Sequence, residues 1–254
     1  MEWDETGNDF QIINLPIDEG SDAFVEQIID SFRADNIYDA FNALASAVEV
    51  EFLSNLFVNT MLSNLDVLTG MMQIVLKNLT DETSVDVKSV FHLLALLSKC
   101  CDEKGAGVLM NIDLVGFIIM AINQRDFPFR RWAYQTLENL YDREDIYKDC
   151  ISGKMNLNVL IYDLGGQNSE SAVPEAFQLV KLTVNYTERG EFFDAILPTL
   201  EADLFCDNDD IQLLALETLQ VILSRPPKFW NDYIEDSNVV VRMHQLTNPT
   251  NQTV

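Results

Sequence analysis

A triplet of small or apolar residues recurs along this chain with a period near 42. Val90/Leu94/Leu97, Ala133/Leu137/Leu140, Ala176/Val180/Thr183 and Ala215/Leu219/Ile222 begin 43, 43 and 39 residues apart. A weaker copy, Ala40/Leu44/Ala47, begins 50 residues before the first. Offsets of 0, +4 and +7 fall on one face of an α-helix, and an apolar face must be covered. A period of this length is that of a two- or three-helix unit. The chain is therefore expected to be all-α, each unit's apolar face covered by the next.

The segments between the triplets support this. Strand signals are scarce. Residues 66–79 are apolar at helical spacing, and the polar loop Thr80-Asp-Glu-Thr-Ser84 follows. A helix is predicted over 108–122, a break at Asn123-Gln-Arg-Asp126, and a helix over 127–141 with Pro128 in its first turn. The 156–164 helix ends at Gly165-Gly166, and Pro174 starts the next. A helix over 192–205 precedes Asp207-Asn-Asp-Asp210 and the helix to Leu223, which Pro226-Pro227 stops. Three segments result: acidic residues 1–20, a repeat domain over 21–236, and an end cap with a polar tail over 237–254. Trp230, Tyr233, Ile234, Val240 and Met243 would form the closing helix pair.

Charge excludes several partners. Forty-one acids against sixteen bases leave a net charge of −25. Such a surface repels nucleic-acid phosphates and anionic membranes. No apolar run reaches the roughly 18 residues of a membrane span. The acidic opening Met1-Glu2-Trp3-Asp4-Glu5 predicts neither a secretory signal nor a transit peptide. The first 76 residues hold 14 acids and one base, Arg33. Residues 1–20 mix acids with Trp3, Phe10, Ile12, Ile13 and Leu15, which suits either a solvating tail or a motif that docks on a partner or back on the chain's own groove.

Catalytic and metal-binding patterns are weak. Cys100, Cys101, Cys150 and Cys206 form no C-x-x-C, and neither His92 nor His244 stands at ligand spacing from them, so no metal is expected. Adjacent Cys100-Cys101 reads as buried thiols of a reducing compartment. Gly105-Ala-Gly107 lacks the third glycine and preceding strand of a dinucleotide loop, and reads as a turn. Asp209-Asp210 reads as helix-start chemistry rather than an acid–base pair. Neither a cofactor nor an enzymatic activity is expected.

Arg130-Arg-Trp-Ala-Tyr-Gln-Thr-Leu-Glu-Asn-Leu140 resembles the third helix of an armadillo unit, whose pattern A-x-x-[AT]-L-x-N-L is matched by Ala133, Thr136, Leu137, Asn139 and Leu140. Asp113–Ile122 resembles the second helix. The resemblance covers about residues 21–236, with HEAT-like units as the nearest alternative. It implies a right-handed α-solenoid of about five units, with third helices lining a concave groove. It also implies a non-enzymatic scaffold. Importin alpha, a groove binder of that family, carries Trp at +2 and Asn at +6 of the template. Here the +2 residues are Asn42, His92, Gln135, Gln178 and Glu217. At +6 stand Ser46, Leu96, Asn139, Leu182 and Val221.

Five polar residues at one position of otherwise apolar helices are expected to face solvent. That face is either merely solvated or a ladder that hydrogen-bonds an extended peptide. The candidate groove is Asn42, His92, Gln135, Asn139, Gln178 and Glu217. His92 is either a structural residue or a pH-sensitive member. Arg125, Arg130 and Arg131 read as ion pairs to the neighbouring unit's carboxylates, or as a docking site for an acidic segment. The expected function is a monomeric protein-binding scaffold of the cytosol or nucleus, whose partner carries basic segments. The alternative is a nucleotide-exchange cofactor of a heat-shock chaperone, or a transport-receptor adaptor.

Overall fold

The computed structural model describes residues 17–49, 53–141, 143, 145–166, 172–187, 190–225, 239 and 241. The acidic opening residues, Pro226-Pro227 and most of the end cap lie outside these. Thirteen α-helices and one 3-10 turn make up the described secondary structure.

They group into five units. The first holds α1 (Ile17–Arg33) and α2 (Ile37–Ala47). The second holds α3 (Asn55–Ser63), α4 (Leu65–Val75), a 3-10 turn (Leu76–Asn78) and α5 (Val85–Cys100). The third holds α6 (Glu103–Asn111), α7 (Leu114–Ile122) and α8 (Arg130–Tyr141). The fourth holds α9 (Asp145–Lys154), α10 (Leu157–Leu164) and α11 (Pro174–Tyr186). The fifth holds α12 (Gly190–Leu204) and α13 (Asp209–Leu223).

The unit-closing helices form one continuous row. Helix α2 packs on α5, α5 on α8, α8 on α11, and α11 on α13. Every triplet residue is buried: the largest exposure among all fifteen is the 7% of Thr183. The period in the sequence is thus the stacking period of the solenoid, and the 0/+4/+7 face is the seam between units.

Local chemistry sets the helix ends. Ser54, Ser84 and Asp102 accept hydrogen bonds from the backbone N–H of Phe57, Val87 and Gly105, satisfying donors the first turn leaves free. Asn208 does the same for Asp210 and Ile211, so it caps α13, and Asp209-Asp210 occupy the first turn. Pro174 opens α11. Gly165 and Gly166 end α10 with φ of 102° and 54°, a region costly for residues with a Cβ.

Four local readings differ from expectation. The predicted 108–122 helix is two helices that meet at 66°. Asp113 adopts the left-handed conformation (φ 53°) at the break, and the helical ladder cannot continue through it. Gly105-Ala-Gly107 is not a turn but part of α6. A Cβ on Gly105 would stand 2.7 Å from Cys101 Cβ and 2.8 Å from Leu62 Cδ1, so close packing requires the glycine. Pro128 precedes α8 instead of lying in its first turn, because α8 begins only at Arg130. The predicted 66–79 helix tightens into the 3-10 turn after Val75.

Candidate functional site

The row α2, α5, α8, α11 and α13 carries the candidate residues one per unit. Each +2 side chain sits two residues past a buried triplet start and so points away from the seam. Asn42 and Glu217 are exposed, while His92, Gln135 and Gln178 are half-buried. Three of the six candidates come together. His92 on α5 and Gln135 and Asn139 on α8 line one groove of about 590 Å³ between the two helices, with Lys99, Arg131, Trp132 and Glu138.

Asn139 serves the stack. Its amide nitrogen donates to Ala95 O and Ser98 Oγ of α5, both at 3.1 Å. Both N–H groups are thereby spent on joining units, so the amide is a clamp with its acceptor oxygen left for other partners. Glu217 is also engaged, pairing with Lys181 of α11 at 3.1 Å.

His92 is a stacked residue. Its ring lies 5.0 Å from the Trp132 ring at 25°, and Lys88 Nζ stands 5.9 Å from that ring's centroid. Burial lowers the His92 pKa, and the charges of Lys88 and Arg131 lower it further. Both effects favour the neutral imidazole. Trp132 was not among the sequence candidates. It stands one residue before the triplet start rather than two after it, outside the column searched for the family's tryptophan.

The arginine cluster links units. Arg130 is buried and donates to Asp163 Oδ2 on α10 at 2.6 Å. It also donates to the carbonyls of Ile122, Gln124 and Arg125 at 2.8–2.9 Å. Tyr134 donates to the same carboxylate oxygen at 2.6 Å. Arg131 pairs with Glu175 of the next unit at 3.0 Å. Arg125 lies over the Tyr162 ring at 5.7 Å. Arg130, sealed in the seam, is no part of a docking site.

No protein-family model matches the sequence, and no curated protein is significantly similar to it. Solved structures do match. A designed armadillo repeat protein in complex with the peptide (KR)4 aligns with TM-score 0.57 and 15% identity, over 79% of this chain and 81% of that one. The fold is an armadillo-like helical repeat. A second designed armadillo protein aligns with the same TM-score, identity and coverage. An engineered protein aligns at TM-score 0.59 and 18% identity, over 85% of this chain and 51% of its own. The armadillo-like units here keep the burial pattern of the third helix and depart from importin alpha's polar columns.

Among the described residues, no group of three or more His, Cys, Asp or Glu converges as a metal site. None of the described helices is by itself long and apolar enough to cross a membrane. Cys101 is buried, which raises its thiol pKa, and Cys100 is half-buried.

Proposed function

We propose that this protein is a non-enzymatic scaffold that binds an extended polypeptide along its row of third helices. The observation that carries the reading is the outward column on that row. Asn42, Gln135 and Gln178 present amides from helices whose remaining faces close the solenoid. Amides can pair with a peptide backbone of any sequence and so fix register rather than identity. The partner carries basic segments, because a net charge of −25 accelerates encounter with cations and repels anions. A designed armadillo protein of like fold forms a complex with the basic peptide (KR)4, which is in keeping with such a partner.

Fluorescence anisotropy with labelled (KR)4 tests this. Salt should slow association through loss of steering. Gln135→Ala with Gln178→Ala should weaken binding at every salt concentration, since neither change alters charge. Undiminished affinity in that double variant would remove the third-helix row as the binding face.

A further inference from the structure

We propose that the groove between α5 and α8 is the docking site of the chain's own acidic segment, residues 1–16. The groove lining holds Lys99 and Arg131 against one carboxylate, a local excess of positive charge in an acidic chain. Lys88 and Lys99 on α5 and Arg131 on α8 surround it, Glu138 is its one acidic lining residue, and Arg131 shares its charge with Glu175 of α11. Arg143 adds a fourth cation beside Lys99, its guanidinium donating to the carbonyls of Ser98 and Lys99 at 3.1 Å. The floor is aromatic, the His92–Trp132 stack.

Residues 1–16 carry the complementary chemistry. They hold Glu2, Asp4, Glu5 and Asp9, no base, and Trp3 and Phe10 among the acids. The rest of the chain, with 37 acids against 16 bases and a net charge of −21, repels such a segment almost everywhere, which leaves a cationic, aromatic groove as the favourable place. Tethering decides between this occupant and a free acidic protein. A linked segment has an effective concentration in the mM range, so a weak site suffices. A free acidic partner must instead approach against the whole field. Reach is sufficient. Sixteen extended residues span about 50 Å, and the three helix-to-helix steps from α1, where the segment joins, through α2 and α5 to α8 amount to about 30 Å. Docked there, carboxylates would meet Lys88, Lys99 and Arg131, and Trp3 or Phe10 would meet the Trp132 edge.

Zero-length carbodiimide cross-linking of the full chain, mapped by mass spectrometry at two protein concentrations, tests the proposal. Links from residues 1–16 to Lys88 or Lys99 should exceed those to Lys77 and Lys154 several-fold and persist on dilution. All four lysines are exposed, and Lys77 belongs to the unit that packs on α1. Arg131→Gln removes a groove charge without removing a cross-linkable amine, and should cut the Lys99 links several-fold. Links spread evenly over the four lysines, links lost on dilution, or Lys99 links indifferent to Arg131→Gln would each overturn it.

Discussion

Asp163 and Asp203 occupy matching positions in successive units, forty residues apart near the ends of α10 and α12, and both are fully buried. Their surroundings are opposite. Asp163 accepts hydrogen bonds from Arg130 and Tyr134 on the preceding unit's third helix. In register with those two residues stand Val173, which precedes α11, and Phe177 on α11. Among the described residues, neither oxygen of Asp203 has a hydrogen bond of ordinary geometry, and the backbone N–H of Gly166 is the one group opposing its desolvation. One seam therefore holds a carboxylate paired through one oxygen, whose pKa burial still raises, and the next a carboxylate without such a pair.

Asp203 should make the protein weaken as pH rises. Burial pushes its pKa up to about 8 from an ordinary 3.8. Between those values the folded state holds a proton that the unfolded state has released. Stability from this group is thus fully present below the unfolded pKa and lost as pH rises through the folded one, at about 1.4 kcal/mol per unit. Asp203→Asn cannot ionise. Urea midpoints of the two proteins should diverge steadily from pH 5 to pH 8, with the variant the more stable at pH 8. Parallel pH profiles would show that Asp203 has found a counter-charge.

Arg130 should be needed because its carboxylate is buried. Arg130→Met strands Asp163 in the seam and should cost about 3–5 kcal/mol. Adding Asp163→Leu removes the orphaned charge and should recover part of that loss. Denaturant unfolding of the two single variants and the double checks this, and purely additive losses would deny the coupling.

The triplet frame predicts where truncation hurts. Leu137 has no exposed surface, and Leu137→Ala should cost about 2–5 kcal/mol. Gln220→Ala, on the exposed side of α13, should fall within about 0.5 kcal/mol of the parent. Comparable urea midpoints for the two variants would mean that the helical phase is wrong.

The seam was legible in sequence because burial follows one helical period, and Leu137 or Leu219 shows its phase within its own helix. The polar links were not. Asn139 to Ser98 and Arg130 to Asp163 join residues 41 and 33 apart, and their geometry exists only once units stack. Asn139 was legible as a family position but not as a clamp between units. Trp132 escaped because the aromatic moved off the column that the resemblance made conspicuous. Gly105-Ala-Gly107 misled because local propensity favours a turn, whereas packing against Cys101 and Leu62 holds it in α6.

That last disagreement yields a paired prediction of opposite signs on one helix. Gly105 and Gly107 both lie within α6, and each costs the helix about 1 kcal/mol relative to alanine. A Cβ on Gly107 would meet nothing within 4 Å, so Gly107→Ala should recover about 0.5–1 kcal/mol by lowering the entropy of the unfolded chain. A Cβ on Gly105 would press at 2.7 Å on Cys101 Cβ, which is fixed to the backbone and cannot swing away. There the propensity gain is outweighed by overpacking, and Gly105→Ala should destabilise by about 1–3 kcal/mol. Thermal unfolding of the two variants should move the midpoint up for Gly107→Ala and down for Gly105→Ala. Two upward shifts would mean that α6 can slide away from Leu62 at little cost. Two downward shifts would refute the propensity argument at Gly107.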